Sequence, residues 1–218
     1  MNSLRVSGKH IDTAKSKSYN EPMTSCIILA AGLSARFGSP KPLANFKGTT
    51  VIEYLQKTLA DSQLDEIIIV LGAYHEDIKT HILNHTKIKV VYNKDYNLGQ
   101  TSSFKTGLRH TAEDSEGIML LPADYPVVQR ETIDLLIENF SKQKSSILIP
   151  TYHGKKGHPP IFHGTLTEAI LKMDDSSGLN VLAKQYASEV RLLEVDDPGI
   201  LYTFNNPEEF KDLLNRLD

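Results

Sequence analysis

The sequence has no tryptophan and a single cysteine, Cys26, in 218 residues. One thiol cannot close an intramolecular disulfide, so a disulfide scaffold is excluded and a reducing, cytoplasmic setting is expected. Long apolar runs are also missing. None approaches the roughly 18 residues that mark a membrane-spanning helix, so no membrane partner is expected. Residues 1–22 are polar, without the apolar centre of a signal peptide, and read as a disordered tail ahead of one domain over 23–218. An excess of positive charge is absent as well, with 24 basic residues against 27 acidic ones and a net charge of −3. Nucleic acid is therefore not an expected partner, although a local cationic pocket for a small anion fits the composition. What is present, 40% hydrophobic and 23% charged residues, is the make-up of an ordinary globular domain.

Short apolar runs alternate with amphipathic stretches. Strands are expected at 26–31, 66–71, 88–92, 117–121 and 146–151, with further extended segments at 161–162, 190–195 and 201–204. Helices are expected at 50–62, 75–85, 101–111, 130–140, 166–173, 179–186 and 207–217. The first run, CIILAA, shows no polar alternation and reads as a strand buried on both faces. In the fourth helix Ile133, Leu136, Ile137 and Phe140 fall on one stripe. The alternation predicts an α/β fold, a single Rossmann-like three-layer domain with a mostly parallel mixed sheet. Ligands of such sheets bind beyond the carboxyl ends of strands. That rule selects the loop after Ala31, the loop of Asp124 and the segment after Phe204.

Each of these places carries suggestive residues. In LAAGLSARFGSPK, residues 29–41, small side chains let the backbone approach a ligand, and Gly32 and Gly38 supply a flexible loop with free N–H groups. Arg36 and Lys41 add two positive charges, a combination suited to a polyphosphate. The string is neither the Walker pattern nor the dinucleotide fingerprint, and on these parts alone a solvated surface loop explains it equally well. Near Gly99, Gln100 and Ser102 offer donors and acceptors suited to a base edge; Thr101 or Ser102 can equally cap a helix. Asp124, at a strand end, suits Mg²⁺, a hard cation that selects oxygen, or a plain turn cap. His153, His158 and His163 recur at a spacing of five, which does not stack on a helix, and no carboxylate stands among them. A metal cluster of histidines is not expected there.

Taken whole, residues 29–41 resemble the nucleotidyltransferase signature LAAGxSxRxGxPK. Within that superfamily the chain is most similar to the molybdenum cofactor cytidylyltransferases and the MobA-like NTP transferases. The Ala30-Ala31-Gly32 form and Pro40 are like the cytidylyl branch; the guanylyl branch has two glycines and an acidic residue at these places. The likeness runs on through Gly-x-x-x-Ser after Asn97-Leu98, Asp-x-Pro at Asp124, Gly157-His158-Pro159, and Asn205-Asn206-Pro207-Glu208. It implies the nucleotide-diphospho-sugar transferase type of sheet and a CTP-dependent transfer that releases pyrophosphate. The acceptor it implies is a phosphorylated small molecule such as molybdopterin, and the cofactor is Mg²⁺.

The resemblance also assigns roles. Leu29, Ala30, Ala31, Gly32 and Ser34, with Pro122 and Ala123, line the nucleotide. Arg36 and Lys41 stabilise the triphosphate, and Gln100 and Ser102 orient the base. Asp124 holds the metal with help from Asn205, and Gly157, His158 and Pro159 lie on the acceptor side. Two positions depart from the family: Thr203 stands where an aspartate is usual, and Asn180 where an arginine is usual. The second departure leaves room for another acceptor, a sugar phosphate for example. A molybdenum hydroxylase receiving the product is the implied protein partner. A non-catalytic molybdenum cofactor carrier is the alternative from another functional class.

Overall fold

A computed structural model describes residues 22–143 and 145–217. The expected tail over 1–21 lies outside the described residues. The strands are β1 (Met23–Ala30), β2 (Asn45–Phe46), β3 (Thr49–Thr50), β4 (Glu66–Leu71), β5 (Ile88–Tyr92), β6 (Ser115–Pro122), β7 (Ile147–Tyr152), β8 (Lys155–Lys156), β9 (Ile161–His163) and β10 (Val190–Glu194). The helices are α1 (Val51–Ala60), α2 (His75–Lys79), α3 (Gln100–Leu108), α4 (Arg130–Lys142), α5 (Thr167–Lys172), α6 (Asn180–Gln185) and α7 (Pro207–Asn215).

The main sheet runs β10-β7-β9-β6-β1-β4-β5, with β8 attached to β7. β1 pairs in parallel with both β4 and β6, setting Ile28 beside Ile69 on one side and Leu121 on the other. β4–β5 and β7–β10 are also parallel, whereas β9 runs antiparallel to β6 and β7. The expected mostly parallel mixed sheet is therefore observed. Cys26, Ile27 and Ile28 are wholly buried because both faces of the sheet are covered. Successive residues of a strand point to opposite faces. Ile28 accordingly joins a core with α1, α4 and α7, through Leu55, Leu136 and Leu213. Ile27 joins another with α3, α5 and α6, through Phe104, Ile170 and Leu182. Helix, sheet and helix make the three layers. Burial pushes the Cys26 thiol far above its ordinary pKa, so the residue acts as a small apolar group. No helix among the described residues is long and apolar enough to cross a membrane.

One close approach and one tight turn place the loops. A Cβ on Gly107 would lie 2.5 Å from Cγ2 of Ile27, so only glycine lets α3 press onto β1. That contact carries the start of α3 to the carboxyl ends of the central strands. The β2–β3 hairpin, read from the sequence only as loop, turns through Lys47 and Gly48 with φ of 51° and 80°, both in the left-handed region.

Two expected elements differ. The helix over 75–85 stops at Lys79 because buried Gln56 takes over the backbone that follows. Its amide donates to His81 O at 2.9 Å and accepts from Leu83 N at 2.8 Å. Residues 201–204 do not form a strand. A 3₁₀ turn over Pro198–Leu201 leads into irregular chain, and the apolar pattern there reflects the fully buried Phe204 ring and not sheet pairing.

Helix α1 begins with a capping box. Thr50 Oγ1 accepts from Glu53 N at 3.3 Å, and the Glu53 carboxylate accepts from Thr50 N at 2.9 Å. The hydroxyl of Thr49, then the backbone and hydroxyl of Thr50, hold the Glu53 pKa down at about 2. A folded-state pKa below the unfolded value stabilises the fold above the ordinary carboxylate range, and this contribution disappears as pH falls toward about 2. Glu53→Gln should cost about 1 kcal/mol at neutral pH. Denaturant unfolding at a series of pH values should show the gap to wild type closing through the acid range.

Candidate active site

The walls of the site open where β1 and β6 end. Ala123 N donates to Leu29 O at 3.1 Å and Ala73 N donates to Ala31 O at 3.0 Å, after which the chains diverge. The loop beyond β1 closes on itself. Ser34 adopts a left-handed φ of 51°, its carbonyl accepts from Phe37 N at 2.9 Å and Gly38 N at 3.1 Å, and its hydroxyl accepts from Lys41 N at 3.0 Å. The loop is thereby folded with Arg36 and Lys41 facing inward. Phe37 packs on Phe204 and Phe210, with ring centres 5.4 and 5.7 Å away, fastening the loop to the start of α7.

Lys41 lies between two other parts of the chain. Its Nζ donates to Asp124 Oδ2 at 2.7 Å and to Phe204 O at 3.0 Å. The two side chains of the ion pair are 17% and 23% exposed, so the contact is shielded from water yet open to the cleft. Arg36 donates to Asn205 Oδ1 at 2.9 Å. The neighbouring Asn206 does the capping: its Oδ1 accepts from Glu209 N at 2.9 Å, and Pro207 occupies the first turn of α7. The two asparagines are thus divided, one for the helix and one for the cleft.

These groups border a cleft of about 410 Å³. Its wall includes Leu29, Ala30, Ala31, Gly32 and Ser34 from the first loop, and Pro122, Ala123 and Asp124 from the end of β6. Gly99, Gln100 and Ser103 close the side formed by α3, with Gly99 at φ 116°. Ser102, expected on the base edge, is not in this wall. Its hydroxyl is engaged within the fold, donating to Asp95 O and accepting from Asn93 Nδ2, both at 3.1 Å. Ser103 stands in the wall, its hydroxyl likewise accepting from Asn93 Nδ2 at 3.1 Å, and the Gly-x-x-x-Ser spacing counted from Gly99 lands on it. Neither Thr101 nor Ser102 caps α3; Thr101 Oγ1 donates to Ser177 O at 2.5 Å. Tyr96 and Asn97 also line the cleft. Sequence reasoning passed over both, and the tight fit of Tyr96 on Gly72, where a Cβ would lie 2.5 Å from Tyr96 Cβ, left no one-dimensional signal.

Gly157, His158 and Pro159 are not in this wall; they are held next to the residue that follows Asp124 and against the turn of Ile200. The His158 ring stacks on Tyr125 with centres 4.5 Å apart, and His158 N donates to Ile200 O at 2.9 Å. A Cβ on Gly157 would meet Ile200 O at 2.5 Å, so the turn requires glycine. Thr203, at one departing position, hydrogen-bonds the Tyr125 phenol. In the other departing segment Asp175 pairs with Lys105 Nζ at 2.9 Å, tying that loop to α3, and Asn180 opens α6. The three histidines stay apart. His163 is bound to Thr165 at 2.9 Å and stacks on Phe140, His153 stacks on Tyr152, and no group of three or more metal-ligating side chains forms among the described residues.

Burial lowers the His158 pKa below the usual imidazole value, against the pull of the Leu120 backbone and the Asp124 charge, and its Nδ1 has no hydrogen-bond partner. The ring is therefore neutral at pH 7. The unfolded chain takes up this proton first on acidification, so His158 adds a rise in stability as pH increases through the ordinary imidazole range. In an NMR titration the His158 ring resonance should move at lower pH than an unperturbed imidazole. A midpoint at or above about 6.5 would contradict the burial argument.

A mostly parallel sheet, with a cationic, glycine-bearing loop after its central strand and a carboxylate at the next strand end, defines a nucleotide-binding α/β domain. Residues 26–190 match the family model described as the MobA-like NTP transferase domain. The chain belongs to this family of nucleotidyltransferases. Among curated relatives, a Bacillus cereus protein named probable molybdenum cofactor guanylyltransferase is 33% identical over 135 residues, which is 60% of this chain and 62% of that one. A Bacillus anthracis protein of the same name is 30% identical over 165 residues, 73% of this chain and 78% of that one. The first of these matches spans less than two thirds of the relative's length. The fold is similar to that of Rv0371c from Mycobacterium tuberculosis, with a TM-score of 0.79 and 23% identity over 89% of this chain and 99% of that one. A structure of Rv0371c complexed with manganese is also known.

Proposed function

We propose that the chain transfers a cytidylyl group from CTP to the terminal phosphate of a molybdopterin-type acceptor and releases pyrophosphate. The observation that carries this reading is the convergence of Lys41 on Asp124 and of Arg36 on Asn205 at the mouth of one cleft. An acceptor phosphate oxygen attacks the α-phosphorus in line. The new P–O bond forms as the bond to the departing pyrophosphate breaks. A phosphate monoester is already a nucleophile, so no strong general base is required, and the rate comes from alignment and charge stabilisation. Arg36 and Lys41 turn from their present oxygen partners to the triphosphate, and the backbone N–H groups of 31–34 cradle it. Gln100 and Ser103 face the side where the base lies.

The donor set suits a hard divalent cation, for which we assign Mg²⁺. Asp124 gives a carboxylate oxygen and Asn205 a neutral amide oxygen, each now accepting from a cationic side chain. Mg²⁺ takes few protein ligands and keeps water and phosphate oxygens for the rest. Held by Asp124 and Asn205, such a cation would supply positive charge to offset that of the triphosphate. The base assignment rests on Ala30-Ala31-Gly32 and Pro40. Guanylyl transfer is the second reading, favoured by the names of the Bacillus relatives. A sugar phosphate is the alternative acceptor, because Asn180 replaces the family's arginine. A product this specialised fits direct delivery to a molybdenum hydroxylase.

Calorimetry with CTP, GTP, ATP and UTP, with and without Mg²⁺, tests the assignment. Preference for CTP that needs Mg²⁺ and is lost in Asp124→Ala is the expected result. Preference for GTP moves the chain to guanylyl transfer, and no nucleotide binding at all overturns the site. Pyrophosphate release in the presence of acceptor separates an enzyme from a carrier. Lys41→Ala should lower turnover by about 100-fold, and an unchanged rate would remove Lys41 from the mechanism.

A further inference from the structure

Asp197 lies outside the cleft, is 1% exposed, and makes its three hydrogen bonds to donors. Its Oδ1 accepts from Gly199 N at 2.8 Å. Its Oδ2 accepts from Gln129 N at 2.9 Å and from Thr132 Oγ1 at 2.8 Å. Gln129 precedes α4 and provides no side-chain cap of its own. The carboxylate of Asp197 thus ties down the residue ahead of α4 and the Thr132 hydroxyl in its first turn from a distant part of the chain, and the positive end of the helix favours its negative charge. An amide in its place would turn an NH₂ group toward a donor, which explains an acidic residue here.

We propose that Asp197 is a positioning residue for the transfer site, setting the segment of Phe204 and Asn205 against the loop of Asp124. This inference rests on the transfer reading given above. On one side, Asp197 grips Gln129 and Thr132, which follow directly from the Asp124 loop. On the other, it shapes the turn over Pro198–Leu201 that leads to Phe204 and Asn205. The two sides touch tightly: a Cβ on Gly199 would lie 2.4 Å from Val127 O. The same turn presents Ile200 O to His158 N at 2.9 Å, so the acceptor-side turn is set by it as well. The oxygens that Lys41 and Arg36 hold, on Phe204 and Asn205, therefore stand at a spacing from Asp124 that Asp197 fixes.

The test compares wild type with Asp197→Asn in pyrophosphate release per folded molecule and in amide hydrogen exchange. The expected result is a fall in kcat of about 10- to 100-fold with the nucleotide KM within about 2-fold, since small misplacement of reacting groups costs rate more than binding. Exchange should quicken at Tyr125 and Asn205 and stay unchanged along β4 and β5. A variant that is less stable yet keeps wild-type kcat and exchange overturns the proposal, because a purely structural tie would behave in that way. If Asp197→Asn does not fold, Thr132→Val keeps the carboxylate and two of its bonds, and its kcat should fall by a few-fold; wild-type kcat there overturns the proposal. If wild type releases no pyrophosphate, the transfer reading fails by itself. Exchange at Tyr125 and Asn205 then decides for Asp197: faster exchange in the variant supports it and unchanged exchange overturns it.

Discussion

The ammonium of Lys41 lies against the Asp124 carboxylate and the Phe204 carbonyl, and the candidate site depends on this contact. It draws together three segments that are 83 and 163 residues apart in sequence. Taking a cation and an anion partly out of water is costly, and the attraction repays that cost only where geometry and further hydrogen bonds are good. Here the carbonyl of Phe204 supplies the further bond. Ser34 and Pro40 give the geometry, because the loop must fold back on itself before Lys41 can reach inward.

The scaffold exists to make that meeting reproducible. β1 is buried on both faces and bonded on both edges, so the point where its loop departs has no freedom to shift. β6 runs parallel beside it and delivers Asp124 at the same end of the sheet. The close approach of α3 at Gly107 brings Gly99 and Gln100 to the opposite wall. The aromatic contacts of Phe37, Phe204 and Phe210 hold the third segment in place. Rigid strands thus carry polar loops, and the loops gain their precision from the strands.

Much of this was legible in one dimension. Runs such as EIIIVL at β4 and IKVVY at β5 begin and end where polar or glycine-containing segments interrupt them, and they form strands with those bounds. The signature at 29–41 carries its chemistry in consecutive residues, so its inward-facing charges could be named in advance. The helix over 75–85 could not be trimmed, because the group that ends it, the Gln56 amide, lies about 25 residues away. Ser102 and Ser103 are adjacent and chemically identical. Asn93 Nδ2 donates to both hydroxyls, and only the way α3 turns on the sheet decides that Ser103 and not Ser102 stands in the cleft wall.

By itself the sequence determined the alternation of strand and helix, the parallel core, the cationic loop and the identity of its two charges. These follow from local hydrophobic periodicity and from contiguous residue types, which any stretch of chain carries with it. Tertiary structure alone decided that Lys41 meets Asp124, that Asn205 faces the cleft while Asn206 caps a helix, and that Asp197 ties two loops together. Those outcomes depend on distances between segments remote in the chain, and such distances come into being only when the sheet closes and both cores pack.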